Sequence, residues 1–357
     1  MLFDPEKDPL GSAMQLDAFG FAGVANERYA DAIARGGAGA ETAVYLQRRL
    51  IRRRERETSR AVPWVAVHLD SAQNGRRARP ISEGTWINYL LGNLAQQELF
   101  VDELKYLPTK VIIHASLHVS EEYMLFLLKK CFHEGISTIF ITGDEWYRFS
   151  FDFLSNSARY CDLIINTCFS PHMEMFGNTI QIPFGLGNPQ FPAYPPDWRS
   201  KSASERDYFW SFAGDPNKST RKAMLAEMGR YGGGFQRLTS GWMAADALGP
   251  QDYRALLENS LFSPCPAGWA NVDSYRVWES LEAGCIPIVE RRDFDYFTLV
   301  GGRHPMPTLR DWQEVHSILE PYREREAAEE LRGACVNWWA GYKQSLRSKI
   351  AGIVSEL

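Results

Sequence analysis

The sequence lacks any apolar run close to the roughly 18 residues that a membrane-spanning helix requires, and no secretory leader opens it. A cytoplasmic protein is the expectation. Cysteine is sparse: the six thiols, Cys131, Cys161, Cys168, Cys265, Cys285 and Cys335, include no CxxC pair and no Cys/His spacing suited to zinc. They read as buried packing residues, including Cys265 and Cys285, which flank one predicted helix. Positive charge is not in excess, and a formal net charge of −5 is the wrong sign for a nucleic-acid binder. No GxGxxG follows an early strand, which argues against the dinucleotide fingerprint of a Rossmann oxidoreductase or nucleotide-sugar epimerase.

What is present fits two globular domains. A chain of 357 residues with 45% hydrophobic and 23% charged content exceeds one ordinary core. Residues 1–59 read as a helical N-terminal extension, with a helix from Glu41 that puts Ala43, Leu46 and Leu50 on one face. Arg48, Arg49, Arg52, Arg53, Arg54 and Arg56 crowd its later turns. Such a run suits peripheral contact with an anionic membrane or an acidic protein, although the interleaved Glu55 and Glu57 make a solvated helix the simpler reading.

Residues 60–190 alternate strand and helix. Val65–Leu69 is a strand ending at Asp70, Thr85–Leu99 a helix with Trp86, Leu90 and Leu94 along one side, and Val111–His114 the next strand. A helix from Ser120, a strand over Thr138–Ile141, a helix through Phe153 and strands at Leu163–Ile165 and Ile180–Ile182 follow. This alternation predicts an α/β fold with a mostly parallel sheet. Prolines and glycines crowd residues 183–196, so a linker is placed at 191–207. A second sheet domain spans 208–320, beginning at Tyr208–Phe212, and helices over 321–357 pack back across both domains.

Residues 253–290 carry the chemistry. A helix from Tyr253 to Glu258 leads through Leu261-Phe262 to Pro264-Cys265-Pro266. A small-residue loop then meets Asp273 and Ser274, good N-cap types, ahead of a helix that Gly284 closes before the strand Ile286–Val289. The start of such a helix favours an anion. Arg276 could add a fork of donors to a diphosphate, and Glu279 one turn on could accept hydrogen bonds from ribose hydroxyls. The same spacing also suits an ordinary i,i+3 surface ion pair.

Two shorter motifs lie nearby. Gly214-Asp215-Pro216-Asn217-Lys218-Ser219-Thr220 is similar to a phosphate-binding loop but lacks the second glycine before the lysine. Asp293-Phe294-Asp295 spells a DxD pattern that can hold a divalent cation on a sugar diphosphate. It falls late in the chain, after the helix that would hold the diphosphate.

The pattern Ser260-Leu261-Phe262, Cys265-Pro266-x-Gly268, Ser274-x-Arg276, Glu279 and Ala283-Gly284-Cys285-Ile286-Pro287-Ile288-Val289 resembles the exostosin-like glycosyltransferases, glycosyltransferase family 47. Phe212-x-Gly214 followed by Arg221 is similar to that family's first strand and helix in the donor domain. The resemblance implies a GT-B fold, two Rossmann-like domains facing a central cleft. It further implies transfer from a nucleotide-sugar donor, usually a UDP-sugar, to a glycan or other acceptor hydroxyl, with inversion and with no metal or other cofactor. Gly214, Lys218, Arg221, Pro266, Gly268, Ser274, Arg276 and Glu279 would then bind donor.

Such a displacement needs a general base from the N-terminal domain, at the carboxyl end of a strand. Asp144 and Glu145, directly after the third strand, meet that requirement best, and Asp70 and His114 compete with them. Each also suits a structural role, capping a helix or holding a loop. Two other readings stay open: a GDP-fucose-type fucosyltransferase, for which Glu258-Asn259-Ser260 has a similar pattern, and a non-catalytic carbohydrate- or nucleotide-binding protein.

Overall fold

The computed structural model describes residues 22–36, 63–69, 84–103, 108–115, 119–143, 149–187, 199–241, 244–268, 271–293 and 295–357, together with positions 13, 43 and 47. Helix α1 (Ala22–Arg35) precedes the first sheet domain. That domain runs β1 (Trp64–His68), α2 (Gly84–Leu90), β2 (Ala95–Phe100), β3 (Lys110–His114), α3 (Glu121–His133), β4 (Ser137–Gly143), α4 (Phe151–Tyr160), β5 (Leu163–Thr167) and β6 (Thr179–Ile182). Its six strands form one sheet in the order β2-β1-β3-β4-β5-β6, and every neighbouring pair is parallel.

The middles of the central strands are apolar because both faces are covered. Ala66, Ile112, Ile139 and Ile165 belong to one buried cluster with Trp86, Ile87 and Leu90 of α2, while Val111, Ile113, Phe140 and Ile164 belong to another with Met124, Leu128 and Phe153 of α3 and α4. Local chemistry sets the helix starts. Ser120 Oγ accepts from Tyr123 N at 3.3 Å, and Ser150 Oγ accepts from Phe153 N at 3.1 Å. The Glu121 carboxylate, in turn, accepts from both N and Oγ of Ser150 at 2.6 Å, tying the two helix starts together.

The second domain runs β7 (Tyr208–Gly214), α5 (Arg221–Tyr231), β8 (Gly234–Leu238), α6 (Pro250–Glu258), β9 (Ser260–Cys265), α7 (Tyr275–Glu282), β10 (Ile286–Glu290), α8 (Tyr296–Gly301) and β11 (Thr308–Leu309). Its strands order as β11-β10-β9-β7-β8, again all parallel. After α9 (Val315–Leu319) comes α10 (Arg325–Ser355), of 31 residues. Trp339 of α10 stacks on Trp86 of the first domain at 5.5 Å and meets Trp278 of the second at 5.2 Å. Its Nε1 and Lys343 Nζ both donate to Glu282, at 2.5 and 2.6 Å, so the charge at this seam is neutralised.

Several expectations need correcting. The helix predicted over Thr85–Leu99 stops at Leu90, because Gly92 and Asn93 take φ values of +63° and +55°. Trp86, Leu90 and Leu94 still share one core, but Leu94 reaches it from the turn, and Ala95–Phe100 becomes the edge strand β2. Helix α1 falls within the helical extension expected over residues 1–59, and strand β8, largely exposed, carries too little apolar period to be predicted. The helix expected from Glu41 and its arginine run lie outside the described residues, apart from the helical positions Ala43 and Gln47. All six cysteines are buried thiols outside any disulfide, and burial pushes the Cys265 and Cys335 thiols up to about 12. Among the described residues no helix is long and apolar enough to cross a membrane.

Candidate active site

The carboxyl edges of the two sheets meet. Phe169, just past β5, donates its N–H to Tyr296 Oη at 3.1 Å, at the start of α8. The segment that follows β6, Pro183–Gly187, runs between Trp86 on one side and Tyr275 on the other. A β-carbon on Gly185 (φ +65°) would lie 2.3 Å from the Trp86 ring, and one on Gly187 would lie 2.6 Å from the Tyr275 ring. Only glycine allows both approaches. The part of the proline- and glycine-rich stretch that is described is thus mostly buried between the domains.

Asp273 locks this seam. Its Oδ1 accepts from Trp278 Nε1 at 2.6 Å, and its Oδ2 accepts from Phe184 N at 3.0 Å and from Tyr296 Oη at 2.8 Å. Burial raises its pKa to about 6 despite these donors. The sequence reading took Asp273 only for an N-cap type. Its partners are 89 and 23 residues away, which no local pattern reveals.

Helix α7 is built as expected and projects two side chains beside this seam. Val277, Trp278 and Leu281 are buried in the core. The hydroxyl of Ser274 at its start is buried with no hydrogen-bond partner. Arg276 does not make the surface ion pair that its spacing from Glu279 allows. Its guanidinium lies 4.4 Å from the Phe212 ring centroid, donates from Nη2 to Ala213 O at 2.7 Å and from Nη1 to Tyr253 Oη at 3.3 Å. Gly214 makes room for it, since a β-carbon there would sit 3.0 Å from Nη2. Arg221, at the start of α5, approaches the same Phe212 ring at 5.7 Å and donates to Asp215 O at 2.7 Å.

Glu279 is buried, 7% exposed, one turn beyond Arg276. Desolvation raises its pKa to about 7, and Arg276, the Gly187 N–H and the Tyr253 hydroxyl oppose that rise. A carboxylate poised near neutrality therefore sits between the domains, with two guanidinium groups stacked on one aromatic ring close by. The arrangement suits a ligand carrying an anion and neighbouring hydroxyls.

The structure thus brings together Gly214, Arg221, Ser274, Arg276 and Glu279. Lys218 lies on the turn before α5, where its carbonyl accepts from Arg221 N at 3.0 Å. Pro266 is buried past β9, and Gly268 N donates to Asn271 O at 2.7 Å, shaping the loop into α7. His114 stands on the other sheet, at the end of β3. Asp70, Asp144 and Glu145 lie outside the described residues.

Besides Asp273, three contributors carry no local sequence signal as site residues: Tyr253, Phe212 and Glu290. The Glu290 carboxylate at the end of β10 accepts from Thr220 Oγ1 and Trp312 Nε1, anchoring the turn that carries Lys218. Asp295 of the DxD pattern caps α8 by accepting from Phe297 N and Thr298 N, and it faces His304 Nε2 at 3.2 Å. Among the described residues no group of three or more His, Cys, Asp or Glu could hold a metal ion.

Residues 189–357 match the family model described as the RXYLT1 C-terminal domain. Ribitol-5-phosphate xylosyltransferase 1 of Mus musculus is 24% identical over 230 residues, covering 57% of this chain and 50% of that protein. The Homo sapiens protein of the same name is 24% identical over 240 residues, 59% of this chain and 51% of its own length. The chain thus matches about half the length of these curated relatives. Among solved structures, Anabaena Alr3699/HepE in complex with UDP and glucose superposes with a TM-score of 0.51 at 10% identity, covering 83% of this chain and 100% of that one. The fold is GT-B, two Rossmann-like domains.

Proposed function

We propose that the protein is an inverting glycosyltransferase that moves a sugar from a UDP-linked donor to an acceptor hydroxyl by a single displacement without a metal ion. The observation that carries this reading is the pairing on α7 of Arg276, stacked on Phe212 beside Arg221, with buried Glu279 facing the Gly187 N–H. Ionised Glu279 accepts from the ribose hydroxyls, and the diphosphate lies at the start of α7 against Ser274 and Arg276. The unpartnered Ser274 hydroxyl gains a partner there. As the anomeric carbon–oxygen bond breaks, Arg276 and Arg221 take up the charge on the leaving diphosphate in place of a cation. The resemblance of residues 253–290 to exostosin-like enzymes supports UDP and inversion. The relatives' name supports xylose as the sugar and an acceptor bearing ribitol 5-phosphate.

Calorimetry with UDP and GDP tests the site, and transfer from UDP-xylose to a ribitol-5-phosphate acceptor tests the activity. Wild type is expected to prefer UDP, and Glu279→Ala is expected to weaken UDP binding about tenfold or more, as loss of a charged hydrogen-bonding partner implies. Equal UDP affinity in the two proteins, or a preference for GDP, would overturn the reading, the latter in favour of the fucosyltransferase alternative. Tight UDP binding without transfer from any nucleotide sugar would leave a binding protein.

A further inference from the structure

The carboxyl edge of the first sheet holds a polar cluster that the α7 site does not use. His68, the last residue of β1, is in register with Phe100 of β2 and His114 of β3, and its ring packs against theirs at 5.6 and 4.6 Å. His68 Nε2 lies 3.6 Å from Glu98 Oε2. The other oxygen of Glu98 accepts from Asn88 Nδ2 at 3.5 Å, so α2 and β2 together hold the carboxylate. His68 Nδ1 is buried and has no hydrogen-bond partner. A proton on Nε2, the ring nitrogen nearer Glu98, leaves the lone pair on Nδ1.

We propose that His68, oriented by Glu98, accepts the proton of the attacking acceptor hydroxyl. This rests on the glycosyltransferase reading above and adds to it the missing base. The carboxyl edge of this sheet is the edge that meets the donor domain, through Phe169 and Phe184. The acceptor oxygen bonds to the anomeric carbon as its proton passes to Nδ1, and the bond from that carbon to the diphosphate oxygen breaks with its electron pair leaving on the diphosphate. Imidazolium charge is then balanced by Glu98, and the proton returns to water when products leave. His114 suits this role less well, because burial, with His68 beside it, lowers its pKa to about 3 and makes it a poor proton acceptor. Glu98 is a positioning residue, and among the described residues Glu98 and His114 are the titratable groups that face His68.

The whole chain tests this with His68→Gln, His68→Gly and Glu98→Gln, read by UDP calorimetry and by turnover at saturating UDP-sugar with kcat and the acceptor KM separated. His68→Gln should keep its UDP affinity and lose about 10²–10⁴-fold in turnover. Imidazole in the buffer should restore part of the activity of His68→Gly. Glu98→Gln, at a side chain 57% exposed and so tolerant of change, should fold, keep its UDP affinity and lower kcat about twofold to fivefold with little change in the acceptor KM, because the imidazolium loses its counter-charge. Full turnover in His68→Gln, or an unchanged kcat in Glu98→Gln, overturns the assignment while leaving the glycosyltransferase reading intact. A wild type that binds no nucleotide and transfers no sugar overturns both.

Discussion

Gly185→Ala is the sharpest test of how the domains are joined. The added methyl would lie 2.3 Å from the Trp86 ring on a backbone with φ of +65°. Trp86 cannot yield: it is fully buried, its Nε1 donates to Pro183 O at 3.1 Å, and its ring is stacked on Tyr89 at 5.9 Å and Trp339 at 5.5 Å. A left-handed conformation costs a residue with a β-carbon about 1–2 kcal/mol, and overpacking a filled core costs about 1–3 kcal/mol. Their sum, about 2–5 kcal/mol, should lower Tm by roughly 5–15 °C in a protein with domains of this size. UDP affinity should fall with it, since Gly187, two residues on, presents its N–H to Glu279. Gly177→Ala is the matched control, because nothing lies within 4 Å of its added methyl. If circular dichroism melts put Gly185→Ala within about 1 °C of the control, the close passage between Trp86 and Tyr275 is wrong.

Stability should also respond to pH through Asp273 and Glu279. Burial raises their pKa values from about 3.8 and 4.5 to about 6 and about 7, so the folded protein holds protons there that the unfolded chain has released. Stability contributed by these groups is full below about pH 4 and is lost as pH rises to about 7, by up to about 3 kcal/mol each. Urea melts of Asp273→Asn with Glu279→Gln against wild type, across that range, should show the slope flattened; an unchanged slope counts against both shifts. UDP affinity runs the other way. It should rise with pH through about 7 as Glu279 ionises, and calorimetry on Glu279→Gln should show that rise gone. Arg276→Lys keeps the charge but loses the planar fork that stacks on Phe212 and reaches Ala213 O and Tyr253, so UDP binding should weaken about tenfold with little change in Tm; an unaltered Kd would remove Arg276 from the site.

How much was legible depended on whether a feature is written locally. The β9–α7–β10 unit was readable because Pro264-Cys265-Pro266, Ser274 and Gly284 punctuate buried apolar runs, and its elements form where expected. The edge strands β2 and β8 were not. Gln97 and Glu98 of β2 and most of β8 are exposed, so neither strand shows the alternation that burial of one face imposes. Arg276 illustrates the limit within the site. Spacing allowed an ion pair with Glu279, and what decides against it is a ring and a carbonyl on β7, the carbonyl 63 residues earlier. The same holds for His68, which reads locally as the end of an apolar strand and gains its chemistry only when parallel pairing sets it between Phe100 and His114 and within reach of Glu98. In both domains the sequence marks the strand ends, while the crossovers determine which side chains meet there.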